Sequence, residues 1–191
     1  MSNSKRTALC AALLLSLAFV ACRRPLQEAA PASEDLQELP DHTSWDTEFY
    51  VTLDGLRRMR VKAPRAERYV REDSTLTILS AGEQDSVRVR AWIYDEEGGE
   101  SAALVADLLH YVESENRIDA FGAVEVDTRE GKHLETDHLT WYEDEKQIRC
   151  PGFVTLTGPN ENFRGYDLEA DEDLSRYTLR RPSGRMIVEE E

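Results

Sequence analysis

Three cysteines in 191 residues are too few for a disulfide framework. Aromatic residues make up only 8%, and 23 basic residues stand against 38 acids, giving a formal charge of −15. That balance argues against nucleic acid, whose phosphates need a clustered basic face, and against a polybasic hold on anionic lipid. No apolar run reaches the roughly 20 residues that a bilayer-spanning helix needs. There is no Gly-x-Ser-x-Gly elbow and no glycine-rich phosphate loop. Asp95-Glu96-Glu97 and Asp171-Glu172-Asp173 lack the alternating oxygen ligands of a calcium loop. The length suits one domain with a modest core.

What is present begins at the amino terminus. Lys5 and Arg6 precede the apolar stretch Ala8 to Ala21, which ends at Cys22-Arg23-Arg24. Charge, a short apolar run and then small residues is the layout of a secretory signal, with an uncleaved short anchor as the alternative. Val20-Ala21-Cys22 resembles a bacterial lipobox, although Phe19 stands where leucine is usual. The resemblance implies a signal peptide over residues 1–21 and lipidation of Cys22. Two or more acyl chains hold a protein stably to a membrane where one does not. Cleavage would remove two basic residues and no acid, leaving −17. Residues 22–44 carry Pro25, Pro31 and Pro40 without apolar periodicity, and read as a solvated linker.

From Trp45, taken as the start of core-forming sequence and of a domain over 45–191, the apolar period is two. Met59, Val61 and Ala63 alternate with Arg58, Arg60 and Lys62, and Val87, Val89 and Ala91 alternate with Arg88 and Arg90. Turn clusters at Asp54-Gly55, Gly98-Gly99, Gly131 and Gly158-Pro159-Asn160 separate the runs. The pattern predicts an all-β fold, a sandwich or open jelly roll, with a helix conceivable only in the signal and over Ala63–Arg71. An internal repeat of about thirty residues strengthens this. Asp107 followed by Ile118-Asp119-Ala120-Phe121-Gly122 has a counterpart in Asp137 followed by Ile148-Arg149-Cys150-Pro151-Gly152, and a third, weaker copy begins at Ala170-Asp171. The glycines suit bulges where strands bend.

The strings Ile118 to Val126 and Gly131 to Trp141 resemble a repeated motif of the OstA-like lipopolysaccharide transport proteins. Asp54-Gly55, Met59 to Ala63, Ala66 and Tyr69 resemble the opening of the LptC family. The resemblance covers about Trp45 to Leu179. It implies an elongated, open, twisted β-jellyroll of two antiparallel layers. It also implies a periplasmic, membrane-anchored component of lipopolysaccharide export. Such a protein accepts lipopolysaccharide from an inner-membrane ABC transporter complex and passes it to a periplasmic OstA-like bridge protein, the acyl chains lying between the layers. Family members are held by a transmembrane helix. This chain reads instead as lipid-anchored on the periplasmic face of the inner membrane, with the outer membrane as the alternative.

The inward apolar positions implied by alternation are Val87, Val89, Leu104, Leu108, Ile118, Val124, Val126, Leu134, Leu139, Trp141, Ile148, Val154, Leu156, Leu168 and Leu174. The same pattern would fill an ordinary sandwich core, so a structural or binding lipoprotein without lipid cargo remains the rival. Strand edges near Phe49–Val61 and Tyr177–Val188 are candidate docking sites, the second for the bridge protein. Arg57, Arg58, Arg60, Lys62, Arg65, Arg68 and Arg71 form a basic island that meets either lipid phosphates or the membrane complex, or is neutralised by acids elsewhere in the fold. Cys150, aligned with Ala120 in the repeat, reads as a small buried residue. His133 and His138, five apart, read as lying on opposite strand faces. No catalytic residue, cofactor or metal is expected.

Overall fold

The structure, a computed structural model, describes residues 39–53, 55–82 and 87–187. The signal segment, Cys22 and most of the linker lie outside the described residues. Leu39–Glu191 forms one compact unit. Its strands are β1 (His42–Leu53), β2 (Leu56–Val70), β3 (Thr75–Ser80), β4 (Val89–Tyr94), β5 (Glu100–Ala106) and β6 (Leu108–Val112). After a single 3-10 turn at Glu113–Glu115 come β7 (Arg117–Thr128), β8 (His133–Tyr142), β9 (Gln147–Gly158), β10 (Glu161–Asp171) and β11 (Tyr177–Met186). Among the described residues no helix is long and apolar enough to cross a membrane.

All pairings are antiparallel, in one hydrogen-bonded sheet ordered β11-β10-β9-β8-β7-β5-β4-β2-β3-β6, with β6 returning to β7 and β1 lying on β2. Long strands serve two layers. Residues 59–62 of β2 pair β4, whereas 65–70 pair β3. Likewise the first half of β7 pairs β6 and the second half pairs β5. The sheet is therefore folded over on itself, and each long strand bends as it passes from one layer to the other. The bends fall where the ladder slips. In β7 the slip lies between Phe121 and Val124, with Gly122 at φ +77° and Ala123 at φ +40°. Such an extra residue bends a strand and increases its twist. Arg88 fixes this bulge by donating to the carbonyls of Gly122 and Ala123 while pairing with Asp107 and Glu125 at 2.8 Å each.

Alternation restarts after each bend, so that both halves of a long strand turn apolar side chains inward. Ile118 and Ala120 are buried before the β7 bulge, and Val124 and Val126 after it. The core joins Met59, Val61, Val89, Leu104 and Val126 of one layer to Leu79, Leu109, Ile118, Leu139 and Trp141 of the other. A buried leucine or valine stabilises by about 1.5–3 kcal/mol, so this double apolar lining is what holds the layers face to face.

Several expectations are corrected. Ala63–Arg71 is not a helix: through Val70 it is the second half of β2, paired with β1 on one side and β3 on the other. Cross-strand pairing on both edges outweighs the helical propensity of its Ala, Glu and Arg. Pro64, lacking an N–H, sits where β2 passes between layers, at a position without a partner in β1. Trp45 does not open the core but is 70% exposed, and β1 already begins at His42, within the segment read as linker.

Candidate functional site

Thirteen of the fifteen predicted inward positions are buried: Val89, Leu104, Ile118, Val124, Val126, Leu134, Leu139, Trp141, Ile148, Val154, Leu156, Leu168 and Leu174. Two are not. Val87 precedes β4 and is 56% exposed, because the strand that would have turned it inward starts at Val89. Leu108 is half-buried and lies opposite Phe121, on the outer side of its strand, while its neighbour Leu109 points in. Between the layers is an apolar cavity of about 30 Å³, bounded by Met59, Leu104, Leu109, Val126, Trp141 and Glu172 among others. That is room for a solvent molecule and not for an acyl chain. The interior is a narrow slot with an apolar lining.

The slot is shut by charge. Arg58 was expected beside Arg60 and Lys62 on the solvated face. Instead it is 4% exposed, because the β1–β2 ladder slips between Val51 and Thr52 and leaves Arg58 as the unpaired residue of a bulge. A bulge re-aims a side chain. Here it carries a guanidinium across the layers to Glu143, in the β8–β9 turn, at 3.5 Å and to Glu172, in the β10–β11 turn, at 3.3 Å. Glu143 is as buried as Arg58. Its Oε1 faces Arg58 as a charge contact without accepting a well-formed hydrogen bond. Burial pushes the Glu143 carboxyl above its ordinary pKa of 4.5, an effect only partly offset by Arg58. Trp141 Nε1, on the same slot, is buried without a partner. Further links join turns of the two layers. Lys146 pairs with Glu96 of the β4–β5 turn, and Lys132 of the β7–β8 turn donates to the Leu174 carbonyl at 2.7 Å. Tyr177 Oη also donates to Glu161 at 2.7 Å, so that, among the described residues, each of these links along one side involves at least one side chain.

The region beside the first strand differs. A hollow of about 430 Å³ lies against the inner side of β1, lined by His42, Ser44, Thr47, Phe49, Ala66, Arg68, Thr77, Tyr111 and Glu113 among others. Its nearest ion pair, Arg68 with Glu113 at 3.3 Å, is half exposed on both sides.

The rest of the basic island is divided in the same way. Arg60 pairs with Glu48 at 3.0 Å and Arg65 with Glu67 at 2.7 Å, while Arg71 lies 3.8 Å from Asp41. Arg57 lies over the Tyr50 ring and Lys62 is exposed. The two candidate edges lie near the two terminal strands: among the described residues β1 pairs only β2, and β11 pairs only β10. Val188 lies outside the described residues.

Other side chains fall into place. Cys150 is a free, buried strand residue opposite Leu168, and burial pushes its thiol up to about 12. His133 and His138 do not lie on opposite faces. The β8 bend lets Leu134 and Thr136, then Leu139 and Trp141, all point inward, which turns both histidines out. His133 is held above its usual pKa by Asp127 at 2.7 Å, and His138 stacks on Phe121 with ring centroids 4.5 Å apart. Sequence reasoning missed Glu143 and Glu172, whose only signal was their place in acidic turns.

Against known proteins, the family model described as "Lipopolysaccharide-assembly, LptC-related" matches residues 8–182. No curated protein matches the chain. The chain belongs to the LptC-related lipopolysaccharide-assembly family.

Proposed function

We propose that this chain is the periplasmic, lipid-anchored bridge of lipopolysaccharide export. Cys22 carries the anchor at the inner membrane, residues 23–41 tether the sheet, and lipopolysaccharide arrives from the ABC transporter complex. Its acyl chains lie between the two layers and pass on to an OstA-like bridge protein that pairs with β11. Membership of a transport and binding family, not an enzyme family, supports the coarser part of this reading.

The observation that carries the finer part is the way the layers are closed. They share a continuous apolar lining, and along one side the contacts that join them among the described residues are ion pairs, one side-chain-to-carbonyl bond and the Tyr177–Glu161 hydrogen bond. A slot of 30 Å³ has to widen to accept acyl chains, and the Arg58 clasp is what resists widening. Entry of lipid exchanges contacts between layers for contacts with acyl chains, so the apolar area kept from water is largely retained. Separating Arg58 from Glu143 and Glu172 is the main cost, and hydration of the freed charges offsets it. The filled state of the slot also favours a second reading, a tethered binding domain with no lipid inside.

Photo-crosslinking in cells separates the two. A photoreactive residue replaces Val126, Trp141 or Leu156 in turn, with exposed Glu135 as the outward control. The bridge reading expects lipopolysaccharide adducts at the inward sites, lost when cellular ATP is depleted. A folded, membrane-bound protein giving adducts at none of the three would establish the tethered binding domain instead.

A further inference from the structure

The outer face of β2 and β4 concentrates cations in excess of its acids: Arg57, Arg60, Lys62 and Arg90 stand against Glu48, opposite Lys62, and Asp46, which lines the same hollow as Lys62 and Arg90. Lys62 and Arg90 stand directly opposite each other in the β2–β4 ladder, both exposed. Neither forms an ion pair among the described residues, and like charges so placed repel. Arg57 has no carboxylate partner there either, and its guanidinium lies 4.3 Å from the Tyr50 ring centroid and 5.9 Å from that of Tyr94. Arg60 divides its charge between Glu48 and the Trp92 ring, at 4.7 Å, and Arg90 approaches the same ring at 5.9 Å. Arg117, Arg129, Arg149 and Arg176, elsewhere on this sheet, are matched by acids, whereas Arg164, Arg181 and Arg185 of β10 and β11 form no ion pair among the described residues and have no aromatic ring beneath them there. Val87, 56% exposed, borders the hollow that Lys62, Arg90 and Trp92 line.

We propose that this face, with Arg57, Lys62 and Arg90 around Tyr50, Trp92 and Tyr94, lies on the headgroup plane of an anionic phospholipid bilayer. The cations meet lipid phosphates, and the rings take the boundary position that Trp and Tyr favour, apolar on one side and wet on the other. The chain's overall charge does not forbid this. At physiological salt the Debye length is about 8 Å, so acids on other faces are screened and the local charge decides. Each basic residue near such a surface adds attraction. The inference rests on anchoring at Cys22, which puts the bilayer about twenty residues from His42, an extended reach of roughly 70 Å. β1, the strand that the tether enters, borders this face through its Glu48–Lys62 and Tyr50–Arg60 pairs.

The test uses the full, acylated chain with Trp45→Phe, which leaves Trp92 on this face and Trp141 buried. It is reconstituted into phosphatidylcholine vesicles with or without phosphatidylglycerol, their acyl chains brominated near the glycerol. Quenching of Trp92, identified by its loss in Trp92→Phe, is expected to be roughly twofold stronger in the anionic vesicles. Lys62→Glu with Arg90→Glu should abolish the difference while the chain still floats with the vesicles. A floating chain whose Trp92 is quenched equally in both vesicles, or is unaffected by charge reversal, overturns the proposal. Release by millimolar inorganic phosphate at constant ionic strength would make the face a free-anion site, and enhanced crosslinking to an acidic protein without quenching would make it a protein dock. Either result overturns the bilayer assignment. A chain that does not float defeats the anchoring reading instead, and the same quenching with excess anionic vesicles then decides the face by itself.

Discussion

At the clasped side of the fold a single guanidinium, 4% exposed, holds two carboxylates of the opposite layer. Beside the first strand a comparable pair, Arg68 with Glu113, stands in solvent over a 430 Å³ hollow. The residue types and distances are alike and the energetics are not. Water already solvates Arg68 and Glu113, so their separation costs little. Arg58 and Glu143 were desolvated on folding, and removing Arg58 leaves Glu143 buried without its cation, whereas removing Glu143 leaves Arg58 with Glu172. The contrast teaches that burial, rather than distance or residue type, decides what each ion pair contributes: the Arg58 pairs join two layers, and the Arg68 pair lies within one.

The strongest way to break the comparison is to truncate both arginines. Arg58→Ala should lose about 3–5 kcal/mol of unfolding free energy, against less than about 1 kcal/mol for Arg68→Ala, in urea titrations. Similar losses for both would remove the distinction between the two sides. Next come the bends that let strands serve two layers. Gly122 holds φ +77°, and a Cβ there would stand 2.5 Å from the Asp107 carboxylate, whereas Gly152, its repeat counterpart, has nothing within 4 Å. Gly122→Ala should cost about 2 kcal/mol and Gly152→Ala under about 1 kcal/mol. Equal thermal shifts would show that the positive φ and the close approach of Asp107 do not set the Gly122 bend apart from that at Gly152.

Smaller effects sharpen the clasp itself. The raised pKa of Glu143 means that the folded state binds its proton more tightly than the unfolded chain does. Stability from this group is therefore full below the ordinary carboxylate pKa and is lost as pH rises through the folded value. Glu143→Gln should flatten that decline and lie within about 1 kcal/mol of the parent at neutral pH. A pH–stability curve parallel to the parent's would contradict the assignment. His133 gives the least. Its pKa is raised chiefly by Asp127, so its contribution is present below 6.5 and fades as pH rises through the folded value. The ring is 36% exposed and solvent screens the pair, so His133→Gln should change that slope by no more than a few tenths of a kcal/mol.

Strands were legible wherever apolar residues alternate without interruption, as at Val89-Arg90-Ala91 and Val124-Glu125-Val126. The repeat was legible enough to read Cys150 from Ala120. Alternation could not locate the phase changes. One residue slipped at Val51–Thr52 sends Arg58 inside, and the slip in β8 puts both histidines on one face. Such slips depend on which partner strand arrives, a matter of residues far apart in sequence. Pairing across layers likewise hides Glu143 and Glu172 from any local reading. Ala63–Arg71 misled for a related reason: its composition favours a helix, and only the two flanking strands make it extended.

The most direct test of the account is the distance between the layers at the clasped side. Spin labels at exposed Glu97 in the β4–β5 turn and exposed Glu145 in the β8–β9 turn would report it by double electron–electron resonance. The account predicts one short distribution in the free protein, a shift to longer distances when lipopolysaccharide binds, and a similar long population in Arg58→Ala without lipid. Lipopolysaccharide bound with the distribution unchanged would contradict it, because the acyl chains would then lie somewhere other than between the layers.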